Sequence, residues 1–369
     1  MKKYIKPIVL MLTLPGLMLS SCKKFGDTNI DPTRSSDLDP ALQLSYAQVR
    51  YSGDLEVNEK LSVVMTMPLV QQIGGIWANR YGQFYIKSTP YLYSLWEYTY
   101  GLDVMNLVDA VTRTTGDASR SNLNAVCRIM KVYEFARLTD IYGDIPYSEA
   151  GKAFSDGIIR PKFDTQEAIY DDFFKELKEA GEQLDASKDP VKGDFFYNGD
   201  IAKWKKFANS LRLRYAMRLV KRNPAKAQAE AQAAVNAGVF TSNDDICALN
   251  HENVQNNYAD IRGNGLSSAF AQAEVIPRLT NTFIGQLNNT NDPRLKYLVK
   301  YYIDIVNRPF ERTDITAPVV AQIGYNGVNP KSYVWDDWMN PISIEVGGKT
   351  LTAVNNDQKA QLANFMIAL

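Results

Sequence analysis

Sugars offer flat apolar ring faces edged with hydroxyls, and one stretch of this chain carries the side chains that answer both. Trp77, Asn79, Arg80, Tyr81, Gln83, Phe84, Tyr85, Tyr91, Tyr93 and Trp96 crowd into twenty residues. An indole or phenol face can cover a pyranose ring, while Asn, Arg and Gln satisfy hydroxyls. The glycines between them argue for an irregular loop, where binding groups concentrate. Trp77, Asn79, Arg80, Tyr81, Gln83 and Tyr85 are therefore the candidate ligand-binding residues, whereas Trp96 and Tyr100, four apart, read as the packed face of a helix. Trp335, Asp336 and Trp338 form a weaker second candidate, and Trp204, on a helical apolar stripe, reads as packing.

A different chemistry attaches to Cys22. It closes Leu19-Ser20-Ser21-Cys22, after a basic start at Lys2 and Lys3 and an apolar run from about Ile8 to Leu19. Such a run is too short to cross a bilayer, which takes about 20 apolar residues. Basic start, short apolar run and small residues before cysteine make a bacterial lipoprotein signal, cut before Cys22 with acyl chains of the palmitate kind attached there. Residues 1–21 are then the signal peptide, 22–40 a lipidated tether, and 41–369 a single domain outside the cytoplasm, held by lipid. Buried methylenes anchor such a chain at about 0.8 kcal/mol each.

Other chemistries find little support. Lys plus Arg number 41 and Asp plus Glu 41; with Lys2, Lys3 and Lys6 removed in the signal, the remainder is slightly acidic. That balance offers no basic face for nucleic acid. One histidine, His251, and two further cysteines, Cys127 and Cys247, make a zinc site implausible. Cys127 lies among Leu123, Val126 and Met130 and reads as a buried free thiol, although an oxidising exterior permits a disulfide. His251 reads as a surface residue. Glycoside hydrolysis needs two carboxylates about 5–9.5 Å apart; Asp171-Asp172, Asp244-Asp245 and Asp336-Asp337 are adjacent in sequence, but nothing marks them as catalytic. Walker, dinucleotide-binding, His-Glu-x-x-His and EF-hand patterns are missing, so no cofactor, no metal and no enzymatic activity are expected.

The elements that must position these residues are helical. Ala41–Arg50, Leu61–Gln72 and Leu95–Thr112 read as helices, with Gly74–Tyr93 irregular between the last two. Ser121–Tyr142 carries Leu123, Val126, Met130, Tyr133, Leu138 and Ile141 on one face and ends at Gly143. Asp164–Leu184 follows, with Asp164 as expected N-cap and Glu167 three residues on; Asp200–Val220 and Pro224–Ala237 complete the series. Strand patterns are scarce. The fold class is mainly α, with helices running as tetratricopeptide-like hairpins joined by long loops and little β. The turn Tyr142-Gly143-Asp144-Ile145-Pro146-Tyr147 reads as a rigid corner between helices, a ligand contact being the alternative.

These segments also resemble a known family. The start Cys22-Lys23-Lys24-Phe25-Gly26-Asp27-Thr28-Asn29-Ile30-Asp31-Pro32 is similar to the opening of SusD/RagB outer-membrane lipoproteins. Ala136-Arg137-Leu138-Thr139-Asp140-Ile141-Tyr142-Gly143-Asp144-Ile145-Pro146-Tyr147 resembles that family's central signature. Thr165-Gln166-Glu167-Ala168-Ile169-Tyr170, Trp204 to Arg214, and Asn291-Asp292-Pro293-Arg294-Leu295 follow in the family's order. The resemblance covers roughly residues 22 to 340. It implies capture of a glycan or peptide at the cell surface and delivery to a partner, a SusC-like TonB-dependent transporter of the outer membrane. Family members run longer and end in another helical hairpin; here Leu369 falls inside what reads as a starting helix, so the domain is expected to be incomplete at its C-terminus. A helical-repeat scaffold for a protein ligand and a surface hydrolase remain as alternatives.

Overall fold

The computed structural model describes residues 38–74, 81–271, 278–295, 299–301, 342–346, 349–353 and 365–367. Cys22 and the segment around Trp335, Asp336 and Trp338 lie outside the described residues. Helix α1 spans Pro40–Gly53; α2 covers 55–69, its middle, Asn58–Thr66, wound as π-helix. Helix α3 covers 89–114, again with a π-helical stretch, Thr99–Val104. Then follow α4 (Ser121–Tyr142), α5 (Gln166–Gln183), α6 (Ile201–Arg218), α7 (Pro224–Ala237), α8 (Gly265–Ala271) and α9 (Asn281–Asn289).

Helices α3 through α7 pack each against the next, and α1 lies against both α3 and α4. This is the stacked-hairpin arrangement expected of tetratricopeptide-like repeats, in which each pair covers its neighbour's apolar face. The centre of the stack is α4, buried nearly all round: Val126, Cys127, Ile129, Met130, Val132 and Leu138 are inaccessible to solvent. Its expected stripe fails at Ile141, which is 40% exposed, because the last turn instead seats Tyr142 against Trp96, ring centroids 5.3 Å apart. Trp204 is fully buried, as its helical spacing requires, and contacts Tyr197 and Phe207 edge-on.

Polar ties hold the layers in register. The Arg128 guanidinium on α4 forks onto Glu176 of α5 at 3.1 and 2.9 Å and also donates to Gln183 and Glu179. Burial works to raise the Glu176 carboxyl, but the bonds from Arg128 and the charge of Lys131 hold it below its ordinary value. Between α1, α3 and α4 sits a buried charge cluster. Arg50 donates to Asp103 at 2.8 Å and to Asp54, while Glu134 is 1% exposed beside them. Burial pushes Asp103 up to about 7, against the pull of Arg50; burial and then the charge of Asp103 raise Glu134 well above the carboxylate range.

Two local expectations are corrected. The N-cap of α5 is Thr165, whose hydroxyl accepts from Ala168 N, not Asp164. Asp164 belongs to a two-residue strand, Phe163–Asp164, paired antiparallel with Ile145–Pro146, and accepts instead from Tyr147 N, Ser148 N and Ser148 Oγ. Near the C-terminus, Phe365–Ile367 is a strand paired with Val299–Tyr301, where a starting helix was expected, and Ile342–Val346 pairs with Lys349–Ala353. Cys127 and Cys247 are free thiols, the first buried as expected. Among the described residues no helix is long and apolar enough to cross a membrane.

Candidate functional site

Of the sequence-derived candidates, Trp77, Asn79 and Arg80 lie outside the described residues; Tyr81, Gln83 and Tyr85 form a tight turn ahead of α3. Its tightness comes from Gly82. A Cβ there would lie 2.2 Å from the Met65 carbonyl oxygen, so only glycine lets the turn seat on the π-helical stretch of α2. Phe84 N and Ile86 N both donate to Tyr81 O, at 3.1 and 3.0 Å. Tyr85 takes a left-handed backbone, φ 56°, and leaves its side chain 69% exposed. A bulky residue in that region is uncommon and is held there only by its surroundings. Tyr81 packs edge-on against Tyr91 of α3 with ring centroids 4.9 Å apart.

A second loop brings an aromatic that the sequence reading passed over. Tyr258 is 66% exposed, and its hydroxyl donates to Glu59 Oε2 on α2 at 3.0 Å. Partial burial, then the bond and charge of Glu59, push the phenol up to about 12; Tyr91 and Tyr98 lie close enough to add to the shift. The loop is pinned by Asn256, which is buried. Its side-chain amide donates to Gly53 O and Gly263 O, its side-chain oxygen accepts from Gly263 N, and its backbone N donates to Ser268 Oγ. A Cβ at Gly263 would lie 2.1 Å from Val254 O, so this close approach again demands glycine. His251, expected at the surface, is a half-buried part of the same fastening: Nε2 lies 2.7 Å from Ser52 Oγ and Nδ1 3.1 Å from Arg262 O. Tyr81, Tyr91, Tyr98 and Tyr258 thus gather with Glu59, and Tyr85 stands exposed on the same turn as Tyr81. Phenol faces and edges plus a carboxylate suit a pyranose with its hydroxyls. The one available sequence signal for Tyr258 was a lone aromatic in the polar run Asn256-Asn257-Tyr258-Ala259-Asp260.

The corner at Gly143 is built from internal bonds. Gly143 has φ 79°, Asp144 Oδ1 accepts from Gln166 N at 2.8 Å, and the Tyr100 hydroxyl donates to Pro146 O at 2.6 Å. A cleft of about 660 Å³ lies beside it, lined in part by Lys131, Tyr147, Ser148, Asp164 and Asp172. Two of its carboxylates, Asp164 and Asp172, are tied by hydrogen bonds. Burial tends to raise Asp164, but the Ser148 bonds leave it below its ordinary value, and Asp172 accepts from the Tyr147 hydroxyl at 2.6 Å. A general acid needs a raised carboxyl, the opposite of the shift at Asp164. Among the described residues no cluster of three or more His, Cys, Asp or Glu could hold a metal ion.

With this geometry in place, comparison with known proteins assigns the lineage. Residues 42–329 match the SusD-like family described as starch-binding and associating with the outer membrane. The chain belongs to the SusD-like family. A solved structure titled a chitin-binding protein is 44% identical to it with a TM-score of 0.66, over 72% of this chain and 56% of that one. A SusD-like structure from Bacteroidetes AC2a is 32% identical with a TM-score of 0.75, over 90% and 68%. A chitin-binding SusD homolog from Flavobacterium johnsoniae is 25% identical with a TM-score of 0.59, over 71% and 54%. This SusD-like chain therefore spans little more than half the length of the chitin-binding relatives. No curated protein matches it. The mainly helical SusD-like fold expected from the sequence is the fold observed.

Proposed function

We propose that this SusD-like protein is a glycan-binding component of outer-membrane nutrient uptake that performs no bond chemistry. It holds oligosaccharide at the cell surface and delivers it to a SusC-like TonB-dependent transporter. The observation that carries this reading is Tyr258, exposed and bonded to Glu59 close to Tyr91, with Tyr85 exposed on the turn whose Tyr81 packs on the same Tyr91. Trp77, Asn79, Arg80 and Gln83 fall in the same stretch of sequence and complete the proposed ligand-binding set. The chitin-binding relatives favour β-linked N-acetylglucosamine chains as the glycan class. Residues 1–21 act as lipoprotein signal and 22–40 as tether, with Cys22 carrying the lipid that keeps the protein at the membrane surface.

The test is retention of the mature domain, starting just after Cys22, on chitin beads, with Trp77→Ala, Tyr81→Ala and Tyr258→Ala alongside. Retention of the parent and its loss in these variants is expected. Equal retention of all four proteins would remove the site from this surface.

A further inference from the structure

Helix α3 presents aromatic rings on two sides, and the surface described so far uses one. Tyr91 and Tyr98 are seven apart, hence on one side of an α-helix, where Tyr81 and Tyr258 meet them. Tyr93 and Trp96, three apart, occupy the other side. There Trp96 packs on Tyr100 and Tyr142 with centroids at 4.8 and 5.3 Å, and a third ring, Phe163, stacks on it at 6.1 Å with 24° between planes. Packing of the helices does not account for Phe163 or Tyr93: they are 62% and 50% exposed.

Phe163 is nonetheless held in place. Its strand pairs with Ile145–Pro146, and the next residue, Asp164, is locked by three donors from Tyr147 and Ser148. Successive strand side chains point to opposite faces, so fixing Asp164 aims Phe163 outward. A fixed, open aromatic ring saves the ordering cost that a mobile one would incur on binding. Exposed polar residues neighbour this stack in sequence, Glu97 after Trp96 and Arg160 and Lys162 ahead of Phe163, able to meet hydroxyls or amides. The turn 85–90 that leads into α3 leaves Tyr85, Ile86, Lys87, Thr89 and Pro90 exposed to solvent.

We infer that the glycan surface continues across this turn to a second platform, Tyr93 with the Trp96–Phe163 stack, which takes a further ring of the same oligosaccharide. The inference rests on the glycan-binding reading above and adds the ligand's length to it. The two sides are separated by about a helix diameter, 10–12 Å, so a disaccharide engages one platform and a longer oligomer both. Linking two contacts through one ligand raises affinity without any new contact type.

The experiment is calorimetric titration of the full chain with chitobiose, chitotetraose and chitohexaose, for the parent, Phe163→Ala, Tyr93→Ala and Phe163→Trp. Both alanine positions are largely exposed, and Phe163→Trp keeps an aromatic face at the second platform. Expected is a parent affinity that rises with length. The alanine variants should lose about three- to tenfold for chitohexaose, so that the rise of affinity from chitobiose to chitohexaose flattens, while Phe163→Trp retains the gain. A length-dependent gain that survives both alanine variants overturns the second platform and leaves the first reading standing. Absence of binding at every length by a folded parent overturns both. A Phe163→Ala variant that binds all sugars as the parent does but no longer associates with a transporter assigns the ring to protein docking and likewise overturns the inference.

Discussion

Removing the Asp194 carboxylate should unfasten the stack more than any other single polar change. Asp194 is 6% exposed and takes five hydrogen bonds. Oδ1 accepts from Gln48 Nε2 at 2.8 Å and Phe196 N at 3.0 Å; Oδ2 accepts from Tyr197 N, Gly199 N and Trp204 Nε1 at 3.3, 2.9 and 2.7 Å. These bonds join α1, the turn before α6 and the fully buried Trp204. A bond to a charged acceptor contributes about 1.5–3 kcal/mol, and a buried donor left without a partner costs about 1–3 kcal/mol. The bonds share one acceptor and are not additive. Water entering the vacated space satisfies some donors, so the expected loss for Asp194→Ala is about 4 kcal/mol rather than the sum. Asp194→Asn keeps one acceptor oxygen and should lose roughly half as much. Guanidinium denaturation reads both through the transition midpoint at unchanged slope. A loss below about 1 kcal/mol for Asp194→Ala would refute the reasoning, since it would mean that the five donors find equal partners elsewhere.

Three further outcomes follow from the same geometry. Gly82→Ala forces a Cβ to within 2.2 Å of Met65 O; it should cost about 1–3 kcal/mol through backbone displacement and weaken glycan binding together with stability, read by denaturation and titration side by side. Gly263→Ala meets Val254 O at 2.1 Å and should release the Tyr258 loop, seen as faster amide exchange around residues 254–263 with the α4–α5 core unchanged. The third is a pH dependence. Burial raises Asp103 to about 7, above the ordinary value near 4, so the stability that its protonated form contributes is whole below about pH 4. That contribution declines as pH rises through 7 and is gone above it. Asp103→Asn, measured by thermal unfolding at pH 5 and pH 8, should flatten this decline; an unchanged pH profile would contradict the assignment.

Helix existence was legible because α4, α5, α6 and α7 carry long apolar periodicities with recognisable stops such as Gly143 and Gly238. Asp200, the N-cap of α6, was also readable as a start. What periodicity cannot carry is an interruption that packing creates. The π-helical stretches at Asn58–Thr66 and Thr99–Val104 lie inside helices that start earlier than expected, α2 at Leu55 rather than Leu61 and α3 at Thr89 rather than Leu95. Asp164 has the composition of a cap, yet tertiary partners at Tyr147 and Ser148 claimed it. Tyr81 and Tyr85, two of the residues proposed to bind ligand, are visible in the aromatic stretch, whereas Tyr258 reaches Tyr91 and Tyr98 from a loop far along the chain and carries almost no local signal. Trp96 reads as core through its spacing from Tyr100 and does pack there, and Phe163, distant in sequence, also stacks on it.

The central claim is that the protein captures glycan and leaves it intact. The direct measurement is titration of the folded mature domain with chitohexaose, followed by chromatography of the sugar after prolonged incubation. Saturable binding with the hexasaccharide recovered whole is the predicted result. Shorter sugars in the eluate, or a folded domain that binds no chitohexaose, would contradict the account.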